Sequence, residues 1–218
     1  MTAFVSFYNG RMSTLLSESS IASSPSADAG VQASSHQSLR NQLLIAMPCL
    51  EARPFVHSVA YVCEHTAEGA MGLVINQPSS IEIDELLEQM GLTLDPARLN
   101  YPVMQGGPIH PERGFVLHGS GSCWQHTVVL SDEFSLTASC DILEDMAAAQ
   151  GPRNALVLLG FAGWEAGQLE RELGENRWLT APATPHIVFD VPFASRVQVA
   201  TLQLGFDFSL LSPHVGHA

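Results

Sequence analysis

One stretch of the sequence, residues 154–179, constrains the fold more than any other. It opens with an unbroken apolar run at 155–159, continues through Gly160 and Gly163, and ends in a charged segment with leucines one helical turn apart. This order predicts a buried strand, a tight turn at the two glycines and then a helix. The fold that contains it must therefore combine α-helices with a β-sheet.

The remaining apolar patterns predict short strands, some of them joined as hairpins. The segments 55–64 and 72–76 are rich in β-forming residues and flank Gly69, so we expect an antiparallel pair. The helices are spaced irregularly between the strands, which favours an α+β fold over a doubly wound sheet. The expected helices lie at 80–90, 139–149 and 194–204, and the other expected strands at 42–48, 102–105, 114–118, 127–130, 134–137 and 186–189.

Two of these helices carry capping signals at their starts. Ser79 and Glu82 have the spacing of a capping box, and Ser139 is a residue type that caps the first turn of a helix. We therefore expect the first two helices to begin beside these serines.

The chain is predicted to contain one domain behind a disordered head. Residues 1–38 are dominated by Ser and Ala without a sustained apolar period, and such a segment cannot offset an ordering cost of roughly 1–2 kcal/mol per residue. A transit peptide is the alternative, but such peptides are rich in arginine and poor in acids, whereas this head holds a single Arg11 and carries Glu18 and Asp28. Residues 39–218 form the predicted domain.

The charge of the chain limits its partners. It has 22 acidic residues against 9 basic ones, all of them arginine, so the net charge is −13. A phosphate backbone would be repelled, and we expect no direct contact with nucleic acid. The apolar runs fall well short of the roughly 20 residues that cross a bilayer. Since no charged-then-apolar leader is present either, we expect no membrane partner and a cytoplasmic location.

The sequence predicts no cofactor, no metal and no catalytic residue. Cys63 and His65 are two residues apart, but no companion pair has a recognised metal-ligand spacing, so buried, reduced thiols are expected instead. The glycines at 160, 163 and 167 leave an anion-binding turn as an alternative. Their spacing matches neither nucleotide fingerprint, which favours a tight turn with close helix packing.

A candidate recognition surface lies in the central stretch and in the glycine loop at 106–108. Two amphipathic rings and two neutral amides are the mixture typical of ligand sites. If the helix begins near Trp164, the ring of Trp164 lies off the core stripe formed by Leu169 and Leu173. The competing interpretation is that both rings are packing anchors. The candidate residues are Gly106, Gly107, Trp164, Gln168, Asn176 and Trp178.

Seven segments occur in order between residues 39 and 218: NQLLIAMP, CEHTAEGAMGLVINQP, PVMQGGP, RGFVLH, GFAGWEAGQLE, NRWLTAPA and GHA. Together they resemble the YqgE/AlgH family of bacterial proteins. The resemblance implies an α+β fold in which a bifurcated, mostly antiparallel β-sheet curls into a pseudo-barrel with interspersed helices. It brings the label of transcriptional regulator, but no established activity, cofactor or catalytic residue.

The sequence departs from the family pattern at four positions in the domain. Val56 and His57 stand where basic residues are common, Gln77 where a lysine is common, and Val197 where a tryptophan is usual. The lost positive charges further weaken a role in binding nucleic acid. The Ser-rich head also has no counterpart in the family pattern.

Two classes of function remain open at this point. The favoured one is a non-catalytic module that binds a protein or a small molecule and regulates indirectly. The alternative is an enzyme that acts on a small molecule in a cleft near Trp164 and the 106–108 loop. A titrating group with a perturbed pKa beside a pocket would favour the enzyme.

Overall fold

The computed structural model describes residues 38–48, 55–93, 101–205 and 207. The predicted disorder of residues 1–38 concerns a segment that lies outside the described residues, except for Ser38. The strands are β1 (Gln42–Ala46), β2 (Val59–Thr66), β3 (Gly69–Val74), β4 (Pro78–Glu82), β5 (Pro102–Gln105), β6 (Ile109–Gly119), β7 (Thr127–Val129), β8 (Phe134–Thr137), β9 (Ala155–Glu165) and β10 (Trp178–Pro182). The α-helices are α1 (Ile83–Gln89), α2 (Asp141–Ala147), α3 (Gln168–Gly174) and α4 (Arg196–Leu202), with a π-helix at His186–Asp190 and a 3-10 helix at Phe193–Ser195.

Eight of the strands form one antiparallel path in the order β10-β1-β2-β3-β9-β6-β8-β7. The predicted hairpin is confirmed, because β2 and β3 pair from Ala60 with Val74 to Thr66 with Gly69. The other two strands branch from this path: β4 pairs with β5, and β5 runs parallel to β9. The predicted α+β class and the curled, bifurcated sheet are both confirmed. No helix among the described residues is long and apolar enough to span a bilayer.

Strand β9 is where the sheet divides. Its first half pairs with β5 through Leu158, and its second half pairs with β3 through Ala162. Gly160 lies between these halves with a φ of 71°, a conformation that side-chain-bearing residues rarely adopt. Gly106 and Gly107 approach the strand so closely here that a Cβ on either would collide with β9 backbone. Glycine is required on both sides of the junction.

Side chains that precede β1 close the curl of the sheet. Arg40 Nη2 donates to the carbonyl of Val129 at 2.9 Å, and Asn41 Nδ2 donates to the carbonyl of Leu130 at 3.1 Å. The hydroxyl of Tyr61 donates to Asn41 Oδ1 at 2.7 Å and holds that amide in place. The curled sheet is thus joined across its opening by side-chain hydrogen bonds.

The buried side chains form three clusters, and β9 contributes to all of them because its side chains alternate between faces. Leu158 belongs to the largest cluster, which also holds Tyr61 and residues of α4. Val157 belongs to the cluster under α1 and α2. Trp164 belongs to the cluster under α3. The strand is therefore the structural centre of the domain, as the sequence predicts.

The prediction of a tight turn within the central stretch is wrong. Strand β9 runs unbroken through Gly160 and Gly163, and α3 begins at Gln168, not near Trp164. The reason is that β9 has strand partners on both edges, and their ladder hydrogen bonds continue the strand past the glycines, despite the left-handed φ of Gly160. Trp164 is consequently a strand residue on the buried face.

Four other local predictions also differ from the structure. Ser79 lies in β4, and the capping box of α1 is formed by Glu82 with Glu85. The hydroxyl of Ser139 binds Gln125 O and Asp141 Oδ1 and does not cap α2, which begins after Cys140. The predicted strand at 186–189 is a π-helix, and the last predicted helix is divided into the 3-10 turn and α4.

Candidate functional site

Strands β9 and β10 and helix α3 bring three of the predicted site residues together around one carboxylate. The indole Nε1 groups of Trp164 and Trp178 both donate to Oε2 of Glu172, at 3.0 and 2.8 Å. Gln168 Nε2 donates to the other oxygen of Glu172 at 2.9 Å, and Gln168 Oε1 accepts the backbone N–H of Glu165. We call this arrangement the tryptophan–glutamate cluster.

The two rings of the cluster are buried within the domain. Trp164 is 7% exposed and Trp178 is 3% exposed. Their centroids lie 5.8 Å apart, and Phe55 packs on both rings at 6.5 and 5.8 Å. Since ring faces and N–H groups all have partners inside the protein, this geometry favours the packing-anchor interpretation. Recognition of a partner through Gln168 stays a prediction.

The other predicted site residues lie apart from this cluster. Asn176 is exposed in the turn after α3, where its φ is 54°. Gly106 and Gly107 lie at the junction of the sheet, against Gly160 and Phe161. The glycine loop therefore serves close backbone packing, and the structure does not bring it to the indole rings.

Glu172 is the residue that sequence reasoning missed. Gln168 and Glu172 are four residues apart, so they lie on one face of a helix, and this spacing was the available signal. The pattern gives no indication that both tryptophans share the same carboxylate, because that depends on the pairing of distant strands.

A cleft of about 650 Å3 lies elsewhere on the domain. Its lining comes from the turn before β2, the segment from β3 to the first residue of β4, the end of β5, the 3-10 helix and the start of α4. The four positions at which the sequence departs from the family pattern, Val56, His57, Gln77 and Val197, all line it. We call it the amide cleft, because four of its lining residues carry neutral carboxamides: Asn76, Gln77, Gln105 and Gln198.

The lining of the amide cleft mixes these carboxamides with apolar groups. Val56, Pro78, Ala194 and Val197 supply the apolar surface, and Val56 is 40% exposed. His57 is the one titratable residue among the described lining residues, which include no Asp, Glu, Cys, Lys or Arg. Such a lining can form neutral hydrogen bonds and apolar contacts, but it offers a ligand no permanent charge.

Two hydrogen-bonding residues, the half-buried Asn76 and the buried Arg196, hold the walls of the cleft. Asn76 Oδ1 accepts the N–H of Val59 at 2.7 Å, and Asn76 Nδ2 donates to His57 O at 2.9 Å. Arg196 Nη1 donates to the carbonyl of Ile75, and its Nε donates to Val191 O at 3.1 Å. Burial lowers the pKa of Arg196 to about 10. The start of α4 and the turn before β2 are thereby fixed to the same segment after β3.

The tryptophan–glutamate cluster and the amide cleft meet at one turn. Phe55 packs on both tryptophans, and the next two residues, Val56 and His57, line the cleft. The turn is closed by Ser58, whose N–H and hydroxyl both donate to Phe55 O. The cluster therefore positions one wall of the cleft.

The remaining buried titratable groups lie outside the cleft. His118 Nδ1 is 2.8 Å from Gly119 O, and its Nε2 is 2.9 Å from Thr137 Oγ1, which in turn contacts Thr127 Oγ1 at 2.7 Å. This chain of hydrogen bonds suits a neutral imidazole, and burial lowers the pKa of His118. Burial disfavours the charged form of Cys63 as well, and for a thiol this raises the pKa.

The described residues include no group of three His, Cys, Asp or Glu side chains able to hold a metal ion. His65, two residues from Cys63, is bound within the domain instead. Its Nδ1 accepts the backbone N–H of Leu39 at 2.9 Å, and its Nε2 lies 3.0 Å from Glu170 Oε1. The ring of His65 therefore joins β2 to the backbone of Leu39 and to Glu170 of α3.

Comparisons with known proteins show the family of the chain. A family model described as AlgH-like matches residues 43–209. A UPF0301 protein of Xanthomonas campestris pv. campestris is 50% identical over 181 residues, which are 83% of this chain and 96% of the relative. A UPF0301 protein of Thioalkalivibrio sulfidiphilus is 49% identical over 178 residues, covering 82% and 96%. The solution structure of the AlgH protein from Pseudomonas aeruginosa superposes with a TM-score of 0.69 at 46% identity, over 86% of this chain and 100% of that one. The chain therefore belongs to the AlgH-like family.

Proposed function

We propose that this protein is a non-catalytic binding module of the cytoplasm. Its amide cleft takes a small molecule or a segment of a partner protein, and occupancy of the cleft regulates other processes indirectly. The observation that carries the proposal is the lining of the cleft, which combines apolar surface with neutral carboxamides. Concave sites with a few placed polar groups are the usual form of a binding pocket.

The distribution of titratable groups supports binding over catalysis. An acid, base or nucleophile needs a pKa matched to its task, and such groups cluster in active-site clefts. Here the buried groups with perturbed pKa values, such as Cys63 and His118, lie among the structural hydrogen bonds of the sheet. They are absent from the described lining of the cleft.

The charge of the protein supports an indirect route to regulation. A net charge of −13 and the lack of any lysine disfavour contact with a phosphate backbone. The cleft itself has no described arginine. A regulator built in this way acts through a ligand or a protein partner, and not by binding DNA.

Native mass spectrometry of the protein purified from its own host tests the proposal. Val197→Trp is the informative variant, because Val197 lines the cleft and the family pattern accommodates a tryptophan there. Leu202→Trp is the matched control, since Leu202 lies on the same helix and is 53% exposed. We expect a retained small molecule or partner in wild type and in Leu202→Trp, and its loss in Val197→Trp.

Two results would contradict the proposal. The first is bare protein in all three preparations. The second is a retained molecule that the purified protein converts to a product, because that result assigns catalysis to the cleft.

A further inference from the structure

The amide cleft offers a specific hydrogen-bonding chemistry. A carboxamide presents a donor and an acceptor side by side, and three such groups come from different parts of the fold: Gln77 from the segment between β3 and β4, Gln105 from β5 and Gln198 from α4. Asn76 differs from them because both ends of its amide are used to hold the turn before β2. The ligand that suits the three glutamines has adjacent donors and acceptors of its own.

Two of these glutamines have amides available to a ligand. Gln198 is exposed, and its side-chain amide has no hydrogen-bond partner among the described residues; only its backbone carbonyl is used, as an acceptor from Thr201 Oγ1. Gln105 is also exposed, and its Nε2 reaches Pro78 O only at 3.5 Å, beyond the usual length of an N–H···O bond. A ligand can therefore engage both side chains without breaking a strong internal hydrogen bond.

The cleft also limits the charge and size of its ligand. A phosphate or a carboxylate would find no described cation in the lining, and a ligand cation would find no described carboxylate. The volume of about 650 Å3 lies in the range of sites that bury most of a small organic ligand. Val56, Ala194 and Val197 add apolar surface against which a flat face can pack.

We propose that the amide cleft binds an uncharged planar ligand of the nucleobase class, as the free base or the nucleoside. A glutamine carboxamide pairs in bidentate fashion with the edge of a base, as it does with N6 and N7 of adenine. The apolar side chains contact the face of the base. The inference rests on the proposed function, since it names the ligand class of the same cleft.

Isothermal titration calorimetry of the full chain with adenosine, guanosine, cytidine and uridine tests the ligand class. At least one nucleoside binds wild type, and its 5′-monophosphate binds no more tightly, because no described cation of the lining meets the phosphate. Gln105→Ala and Gln198→Ala each weaken binding about tenfold, the effect of losing one bidentate pair. Gln203→Ala is the matched control, because Gln203 is exposed at the end of α4 and does not line the cleft, and it leaves binding unchanged.

The outcomes separate this inference from the proposed function. No binding of any nucleoside overturns the ligand class, while a different molecule retained by wild type and lost in Val197→Trp still upholds the binding module. Tighter binding of the monophosphate overturns the preference for an uncharged ligand. Nucleoside binding that survives in Val197→Trp, in Gln105→Ala and in Gln198→Ala overturns the site. Circular dichroism of each variant verifies that it is folded.

Discussion

Removal of the Glu172 carboxylate should destabilise the domain more than any other single change to an acidic side chain of α3. In Glu172→Ala, two indole N–H groups lose their acceptor, and they belong to residues that are 7% and 3% exposed. A buried donor without a partner costs about 1–3 kcal/mol, so the two together set a range of roughly 2–6 kcal/mol. Glu172 is half-buried, and water can reach part of the space it leaves. We therefore expect a loss of about 2–4 kcal/mol in the free energy of unfolding.

Urea denaturation followed by far-UV circular dichroism and tryptophan fluorescence measures this loss. Glu175→Ala is the control on the same segment, because Glu175 pairs with Arg177 at 2.7 Å while both side chains are nearly half exposed. Such a surface pair contributes less than about 1 kcal/mol. Glu172→Gln should fall between the two, since the amide oxygen still accepts from the indoles. A free energy of unfolding for Glu172→Ala within about 0.5 kcal/mol of wild type would refute the role assigned to the carboxylate.

Four further outcomes are expected. Gly107→Ala should lower the free energy of unfolding by about 2 kcal/mol or more, because Gly107 has a φ of 153° and an added Cβ would collide with the Phe161 backbone. Gly174→Ala is the control, since open space surrounds Gly174, and it should be neutral or stabilising. Equal urea midpoints for the two variants would contradict this. Burial lowers the pKa of His118, so the unfolded chain takes up a proton at a higher pH than the folded chain does. The stability that neutral His118 contributes is therefore complete above about pH 6.5 and is lost as the pH falls below that value. Between about pH 8 and 5, the free energy of unfolding of His118→Gln should depend less on pH than that of wild type, and an equal dependence would contradict this. Fluorescence anisotropy at about 50 mM salt should detect no binding to duplex DNA, and sub-micromolar affinity there would restore a direct regulatory role. A chain that begins at Leu39 should keep the melting temperature of the full chain, and a fall of several degrees would mean that the head docks on the domain.

Local patterns predict the parts of this fold whose contacts are local. The β2–β3 hairpin follows from two β-rich segments around Gly69, and its strands pair directly. The turn predicted at Gly160 and Gly163 fails because β9 is stabilised by strands that are distant in sequence, above all β3 and β6. A glycine pair has no fixed meaning until the neighbours of its strand are known.

The candidate site divides in the same way. The sequence groups Trp164, Gln168 and Trp178, and they lie together because only α3 and its flanking turns separate the two tryptophans. The sequence does not predict the amide cleft, because its lining comes from segments as far apart as Val56 and Gln198. Its four departures from the family pattern were visible in the sequence, but their common location became visible only in the fold.

The pairing of β3 with β9 has a consequence for synthesis of the chain. Gly72 pairs with Ala162, so 90 residues (162 − 72) must follow before the outer edge of β3 receives its partner. At about 5–20 residues per second, ribosomes need roughly 5–18 s to make that length. During this interval β3 has an apolar, unpaired edge, and β1 waits longer still for β10. The nascent chain is then most exposed to aggregation. Lower growth temperatures, or chaperones that cover strand edges, should therefore raise the yield of folded protein.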